Sequence, residues 1–515
     1  MIPTDSGPAP SQTGNAGTGM VSLAMRERSF LLALVACFAS AALFYDTPHI
    51  AMWLGFMFAG YSAVANDSIQ TIGTFIASNK ARPWWLLWLF IGGIFVATTG
   101  YSWWNYGAGL QADYYANAAA LQAGGESVHS ETYSNGHLDW TPGRELEAVP
   151  EGFAVELSGT LEAPSAGQWT LAFTECSGTA TAEVTDAAGT IHTINNDAAA
   201  TVPFDADARL PITMVYVDSG EQPDCTFSWR RGDNELNTIP ARYMRSTRWG
   251  GDVSYGRLAS KGFDRQPENY AFLQIAAPIF LLILTRLRMP VSTTTLLLTC
   301  FATSAGSVGK VLVKSFSGYV IAFVCAIILW MTLGRAMQRW FTGQAKPYWS
   351  VLQWVTTGTL WSVWLQQDAA NIAVYLPRHL SPGQYSFFAG FIFIGLGVLF
   401  YMRGERIQSV VEEKSSVADV RPATIIDLLY AIILYIFKIK SDIPMSTTWV
   451  FIGLLGGREL AMAAVGASGG RTVRHALSLM GRDVLYVLIG LIVSLIIAMA
   501  INETIREAWL APFGL

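Results

Sequence analysis

Long apolar runs separated by short polar turns occupy most of the chain, on either side of a central segment with a different pattern. Eleven runs have about the length that a helix needs to cross a bilayer. They lie near residues 29–46, 50–78, 84–104, 269–287, 289–308, 316–335, 349–376, 384–402, 424–440, 444–466 and 483–501. The pattern predicts a polytopic α-helical membrane protein with about 11 spans, some of which could be re-entrant hairpins.

Within the central segment, residues 106–265, apolar and polar positions alternate. Such runs occur at Phe153–Leu157, Trp169–Phe173, Ile212–Val217 and Thr226–Trp229, with Gly, Pro, Asn and Asp between them. Alternation bounded by turn residues is typical of short strands, and it predicts an inserted all-β sandwich. The predicted organisation is a disordered N-terminus at 1–25, membrane blocks at 26–105 and 266–345 around the module at 106–265, and a second repeat at 346–515 with a cytoplasmic loop at 403–422.

Composition narrows the class of protein. Only 14% of the residues are charged, whereas a soluble protein carries about 25%. The segment 106–265 holds 10 Lys and Arg against 22 Asp and Glu, while the remainder has a net charge of +7. An acidic module in a membrane protein disfavours nucleic acid as a partner. No triad, metal-binding or nucleotide-binding motif is recognisable, so we expect neither an enzyme nor a cofactor.

Basic residues in short loops predict the orientation. With a cytoplasmic N-terminus, most of them fall inside: Lys80, Arg82, Arg286, Arg288, Arg335, Arg339, Arg403, Arg406, Arg471 and Arg474. Residues 106–265 then lie outside a plasma membrane, which we expect to be a bacterial inner membrane. Cys176 and Cys225 are the two cysteines of that segment, and an oxidising compartment favours a disulfide between them over two free thiols.

Two short phrases each occur twice. Ala65–Gln70 and Gln366–Asn371 both combine an aspartate with a carboxamide three residues later, and Pro290–Thr294 and Pro444–Thr448 both read Pro-x-Ser-Thr-Thr. One aspartate precedes the last threonine of its half by 227 residues and the other by 80, a difference of 147 that is about the size of the module. Without the module the halves match, with about five spans each. An odd number of spans predicts inverted repeats with a site at their interface.

The aspartate phrases suit a cation. Asp67 and Gln70 share one helix face, as do Asp368 and Asn371, because they are three residues apart. A carboxylate inside a span is costly and normally faces a polar cavity. Hard cations prefer carboxylate and carbonyl oxygen. We therefore predict a Na⁺ site formed by Asp67, Asn66, Asp368 and Asn371.

The hydroxyl phrases suit an oxyanion, since a helix N-terminus carries partial positive charge and free N–H groups. One such run is usually only a cap, but its duplication at matching repeat positions favours a binding site. The predicted substrate-binding residues are Ser292, Thr293, Thr294, Ser446, Thr447, Thr448, Asp67, Asp368, Gln70 and Asn371.

Both pairs of phrases resemble the signatures of the inorganic phosphate transporter (PiT) family over residues 30–105 and 266–503. The resemblance implies an inverted-repeat carrier that takes up phosphate, or in some relatives sulfate, with Na⁺ or H⁺. This chain departs from the family pattern in several places. Thr295 and Trp449 replace the histidine after each hydroxyl run, Gln70 and Gln367 replace asparagines, and Val374 replaces a glycine.

The module resembles the protective-antigen type of β-sandwich, which is often lectin-like. The resemblance rests on Gly109–Tyr115, Phe153–Leu161, Ser165–Leu171 and Thr226–Trp229. Sugar-binding members use paired aspartates on Ca²⁺, where this chain has Glu175–Gly178 with the sequence Glu-Cys-Ser-Gly. Calcium-dependent sugar binding is therefore not expected.

The leading hypothesis is a secondary active transporter of phosphate or a similar tetrahedral oxyanion, coupled to Na⁺ or H⁺. One alternative is a transporter-derived scaffold or receptor whose outer module binds a glycan or a protein partner. Another is a sulfate permease. Homo-oligomerisation stays open.

Overall fold

The computed structural model describes residues 28–106, 109–133, 137–139, 152–219, 223–247, 249–258, 269–287, 289, 291–302, 305–340, 343–402, 420–440, 445–466 and 472–510. Side chains are described there except at 67–70, 131–133, 137–139, 241, 333–340, 438–440 and 504. The predicted disordered segment 1–25 lies outside these residues. So does most of the predicted loop 403–422, whose last residues, 420–422, are helical.

Helices form the membrane part. In chain order they are α1 (Arg28–Phe44), α2 (Pro48–Ser78), α3 (Trp84–Asn105), α5 (Phe272–Arg286), α6 (Ala305–Trp340), α7 (Pro347–Ala373), α8 (Pro382–Tyr401), α9 (Val420–Lys440), α10 (Thr447–Ala464), α11 (Val473–Ile501) and α12 (Glu503–Leu510), while the short α4 (Ala118–Gln122) belongs to the module.

Among the described residues, five helices are long and apolar enough to cross a membrane, so the predicted number of about eleven spans is not confirmed. They are α3, α6 over Ala305–Thr332, α8, α9 over Val420–Phe437, and α11. The described residues of the predicted span at 289–308 do not form one continuous helix. A five-residue π-helical turn, Thr294–Leu298, lies in this run, and residues 305–308 are the start of α6. The five residues of the turn are buried in the protein, so this part of the apolar run faces protein and not lipid.

Large apolar side chains cover the outer faces of the long helices. Exposed examples are Val313, Phe316, Val320, Val324 and Ile328 on α6, and Leu485, Leu488, Ile492 and Ile496 on α11. Contiguous exposed apolar surface of this kind is rare on soluble proteins. The chain is therefore a membrane protein.

The module consists of antiparallel strands. They are β1 (Leu110–Tyr115), β2 (His129–Tyr133), β3 (His137–Asp139), β4 (Ala154–Glu162), β5 (Gly167–Thr174), β6 (Thr179–Thr185), β7 (Ile191–Asn195), β8 (Ala200–Phe204), β9 (Arg209–Val217), β10 (Asp224–Arg231), β11 (Asn237–Thr238) and β12 (Met244–Ser246). A seven-stranded sheet runs β2-β1-β4-β9-β6-β7 with β12 beside β4, and a five-stranded sheet runs β11-β10-β5-β8 with β3 beside β10.

The two sheets enclose one apolar core, which confirms the predicted sandwich-like module. Burial alternates along β6 and β9 as it does in their sequences. The first sheet contributes Leu157 and Ile212 to the core, and the second contributes Phe227 and Trp229. The predicted disulfide between Cys176 and Cys225 is present and links the start of β10 to the turn after β5.

Candidate functional site

The second aspartate phrase lies in α7, and its polar side chains face the interior. Asp368 is 2% exposed and Asn371 is 1% exposed. The Asp368 carboxylate accepts hydrogen bonds from the Thr294 hydroxyl at 3.2 Å, the Thr447 hydroxyl at 2.5 Å and the Asn371 amide at 2.7 Å. One buried carboxylate therefore joins the predicted aspartate phrase to both Ser-Thr-Thr runs.

The two hydroxyl runs also contact each other across the repeats. The Thr294 hydroxyl donates to the carbonyl of Met445 at 3.1 Å, and the Thr448 hydroxyl donates to the carbonyl of Val291 at 3.4 Å. The amide of Asn66, from the first aspartate phrase, donates to the same Val291 carbonyl at 3.2 Å. Residues from both halves thus meet at one place, as the repeat predicted.

The serine of each run serves as a cap. The backbone N–H of Thr295 and its hydroxyl donate to Ser292 Oγ, at 3.0 and 2.9 Å. The backbone N–H of Trp449 donates to Ser446 Oγ at 3.2 Å. These two hydroxyls, predicted to bind substrate, stabilise helix starts in this conformation, which leaves the threonines as the groups that reach the carboxylate.

The N-terminus of α10 points its partial positive charge at Asp368. Thr447 is the first residue of that helix, and its hydroxyl is the donor on the carboxylate. The first turn of a helix stabilises a nearby anion. The Trp364 indole N–H contacts Thr447 Oγ1 at 3.3 Å, and the Tyr430 hydroxyl donates to the Thr447 carbonyl at 2.9 Å, so this helix start is held in place from two sides.

Three buried oxygen atoms around Asp368 have no hydrogen-bond partner within the described part of the chain. They are Thr293 Oγ1, Gln367 Oε1 and Asn371 Oδ1. The amide nitrogen of Asn371 is committed to Asp368 and Thr294, and that of Gln367 donates to the Leu434 carbonyl at 3.2 Å. A buried polar atom without a partner costs about 1–3 kcal/mol, so a ligand that contacts these oxygens would remove that cost.

The oxygen set fits a hard cation better than a transition metal. A carboxylate with neighbouring amide oxygens resembles the ligand class that hard cations prefer. No group of three or more His, Cys, Asp or Glu that could hold a metal ion occurs among the described residues. Asp67, a predicted cation ligand, and Gln70, a predicted substrate-binding residue, belong to α2, but their side chains lie outside the described residues.

A second buried carboxylate was not singled out from the sequence. Asp427 of α9 is 1% exposed and accepts hydrogen bonds from the Thr74 hydroxyl at 3.0 Å and the Thr357 hydroxyl at 2.5 Å. On α7 the stacked rings of Trp361 and Trp364, 4.8 Å apart, lie between Thr357 and the site residues. The position of Asp427 in an apolar run of the sequence could have indicated this second site, since intramembrane carboxylates are functional by default.

A buried arginine was missed as well. Arg257, which follows the module, is 1% exposed, and its Nε–H donates to the carbonyl of Gln366 at 2.5 Å. Gln366 lies two residues before Asp368 on α7. No signal in the sequence indicated this contact, because Arg257 lies in a polar linker outside every motif.

Comparison with known proteins does not identify a family for this chain. No protein-family model matches the chain, and no curated protein matches it. Solved structures that match include an anti-sigma factor domain-containing protein (13% identity, TM-score 0.22, 27% of this chain and 48% of that chain) and another from Clostridium clariflavum (16%, 0.22, 28% and 49%). The PA14 domain of MpAFP antifreeze protein also matches (17%, 0.20, 27% and 91%). This chain thus spans about half the length of the first two, and TM-scores of this size carry no argument about function.

Proposed function

We propose that the protein is a secondary active transporter that carries inorganic phosphate, or a similar tetrahedral oxyanion, together with Na⁺ or H⁺. The observation that supports this most is the meeting of Thr294 and Thr447, one from each hydroxyl run, on the buried carboxylate of Asp368. A site made from both repeats is where inverted-repeat transporters bind substrate. The resemblance of the motifs to phosphate transporters agrees with this geometry.

The proposed coupling of anion binding to cation binding follows from the hydrogen-bonding capacity of the Thr294 and Thr447 hydroxyls. Each hydroxyl has one proton to donate. The proton of Thr447 goes to Asp368, and that of Thr294 is shared between Asp368 at 3.2 Å and the Met445 carbonyl at 3.1 Å. A cation held by the carboxylate would neutralise it and free those protons for an oxyanion. Anion binding is then favourable only when the cation is present, which is the thermodynamic condition for symport.

Further buried polar groups support both the proposed cation binding and the proposed anion binding. The unpartnered oxygens of Asn371 and Gln367 would complete the coordination of the cation, and the unpartnered hydroxyl of Thr293 would donate to the anion. Asp427 is a second carboxylate at which Na⁺ or H⁺ could bind on the way through the protein. Rocking of one repeat against the other would expose the site to each side in turn.

The test is uptake of radiolabelled phosphate into proteoliposomes under an imposed Na⁺ or proton gradient. Asp368→Asn keeps the size of the side chain and removes its charge, so we expect uptake to fall about tenfold or more, because hydrogen bonds and ion contacts of a charged group are lost. Asp46→Asn is the matched control, since Asp46 is exposed in the turn between α1 and α2, and it should transport like the wild type.

Uptake that is unchanged by Asp368→Asn would contradict the proposed site. Competition by unlabelled sulfate separates the two substrate hypotheses, since a sulfate permease should lose phosphate uptake to sulfate at low excess. A wild-type protein that takes up neither anion under any gradient would favour the scaffold or receptor hypothesis, in which the outer module carries the function.

A further inference from the structure

The last strand of the module ends at Ser246, and the segment that follows it, residues 249–258, is called the linker. It contacts the membrane part, although the predicted module at 106–265 includes it. Its residue Gly251 pairs through backbone hydrogen bonds with Leu380, in the turn between α7 and α8. The Ser102 hydroxyl of α3 donates to the Asp252 carbonyl at 2.7 Å, and the Tyr255 hydroxyl donates to the Thr98 carbonyl at 2.6 Å. The described linker, residues 249–258, is therefore fixed to α3 on one side and to the end of α7 on the other.

The linker is also rigid in itself. The Asp252 carboxylate accepts hydrogen bonds from the backbone N–H and the hydroxyl of Ser254, at 2.8 and 2.7 Å, and from the N–H of Gly256 at 2.8 Å. Burial raises the pKa of Asp252 above its ordinary value, although these hydrogen bonds oppose the rise. A turn held in this way fixes the position of the next residue, Arg257.

Arg257 extends from this turn toward the site. Its side chain is among the largest that are fully buried, and its Nε–H reaches the carbonyl of Gln366. The guanidinium is near enough to act electrostatically on the carboxylate of Asp368. A buried guanidinium is costly to desolvate and stays charged, so its presence beside this site calls for a function.

Oxyanion recognition supplies that function. The Thr hydroxyls and the helix N-terminus offer hydrogen bonds and partial charge, and Asp368 repels an anion. A guanidinium provides a full positive charge and several donors with a planar geometry that suits phosphate oxygens. It extends to the site from the linker of the module, and the predicted orientation makes the module side the one from which the substrate of an importer arrives.

We propose that Arg257 is a specificity-determining residue that binds the oxyanion during transport, so that the linker of the β module forms part of the substrate path. This inference rests on the proposed function. It explains why a module outside the membrane core is tied so closely to α3 and α7: the ties hold the arginine at the depth of the substrate site.

The experiment compares wild type, Arg257→Gln, Arg257→Lys and the control Arg242→Gln in proteoliposomes. Arg242 is an exposed arginine of the same region, stacked on the ring of Tyr243. We expect Arg257→Gln to raise the KM for phosphate about tenfold or more, the effect of losing one charge-assisted hydrogen bond, with little change in the maximal rate. Arg257→Lys should restore part of the affinity, and Arg242→Gln should match the wild type.

The outcomes separate this inference from the proposed function. Phosphate uptake by the wild type with an unchanged KM in Arg257→Gln would overturn the inference alone, whereas no uptake of any oxyanion by the wild type would overturn the proposed function. A purely structural role would lower the maximal rate and the melting temperature of both Arg257 variants without changing KM, and this result would also overturn the inference. A second measurement is the phosphate-induced rise in melting temperature, which should need a higher phosphate concentration in Arg257→Lys than in the wild type.

Discussion

At the scale of single residues, two of the carboxylates described in the helices of the membrane part, Asp368 and Asp427, are buried in different surroundings. Asp368 has donors from three residues and a guanidinium nearby. Asp427 has two threonine hydroxyls, and no ion pair to it occurs among the described residues. Thr357, which contacts Asp427, is eleven residues before Asp368 on the same helix, so the two carboxylates are about 16 Å apart along its axis. They cannot bind the same ion at the same time.

Asp427 is expected to act on the cation and not on the anion. Asp427→Asn keeps one oxygen acceptor for the two threonine hydroxyls but removes the charge that would bind Na⁺ or a proton. We therefore expect phosphate uptake to lose its dependence on the cation gradient while the KM for phosphate changes less than about twofold, within the usual effect of a distant site. Uptake is measured with and without the gradient. Thr357→Val serves as the comparison, because it removes one hydrogen bond and leaves the carboxylate. A variant whose gradient dependence equals that of the wild type would limit Asp427 to a structural role.

At the scale of elements, close helix contacts depend on glycine. Gly453 and Gly457 of α10 are four residues apart, and a Cβ at either position would clash with a backbone carbonyl of α6, that of Tyr319 or that of Phe323. Small residues at this spacing let two helix backbones approach. The contact holds α10, whose first residue binds Asp368, against the long helix α6.

Gly457→Ala should destabilise the protein by about 1–3 kcal/mol, the usual cost of overpacking a tight contact. The reason is that backbone of α6, and not a flexible side chain, would have to move. The measurement is the melting temperature of the purified protein in detergent. Gly456→Ala is the matched control on the same helix, since its Cβ would be in ordinary contact with the flexible Met480 side chain. Equal melting temperatures for the two variants would show that the α6–α10 contact can relax without cost.

At the scale of the whole molecule, an apolar helical body carries an acidic module at one end. The module contacts the end of α3 through Arg245, which donates to the Trp104 carbonyl at 2.7 Å and also to the Asn105 carbonyl. Those carbonyls are the last acceptors of the helix, and a cation there is stabilised by the helix dipole. The pairing of Gly251 with Leu380 brings the linker and the turn after α7 together, and the linker is also bonded to α3 near its end.

The predicted orientation puts the module outside the cell and the turn after α2 inside. In a variant with Cys37, Cys300 and Cys325 replaced by serine, Asp233→Cys of the module should react with a membrane-impermeant maleimide in intact cells. Arg82→Cys should react only after permeabilisation. Both positions are exposed in the structure, so exposure alone does not distinguish them. The reverse labelling pattern would invert the topology and with it the direction from which substrate meets Arg257.

Much of the architecture could be predicted from local sequence patterns. The apolar runs predicted the long helices, because a helix in lipid must be apolar over most of its length, and the alternation at Ile212–Val217 predicted β9 because one face of a strand is buried. The duplicated phrases predicted that residues from both halves meet. Composition alone, however, could not separate a run that faces lipid from one that faces protein. For that reason the sequence predicts a span over residues 289–308, where the structure has a buried π-helical turn and the start of α6.

The amino-acid sequence by itself determined the class of protein, the inserted module, its disulfide and the residue types available for a site. Tertiary structure decided which of them act together. Thr74 and Asp427 are 353 residues apart in the chain, and Arg257 and Gln366 are 109 apart. The periodicity of apolar residues indicates only which faces of a helix or strand are exposed to water, lipid or protein. Contacts between residues so far apart in the chain depend on how whole helices and the linker pack. The repeat predicted that the two hydroxyl runs lie close together. Which of their residues donate to Asp368, namely Thr294 and Thr447, and the contact of Arg257 with α7 depend on that packing.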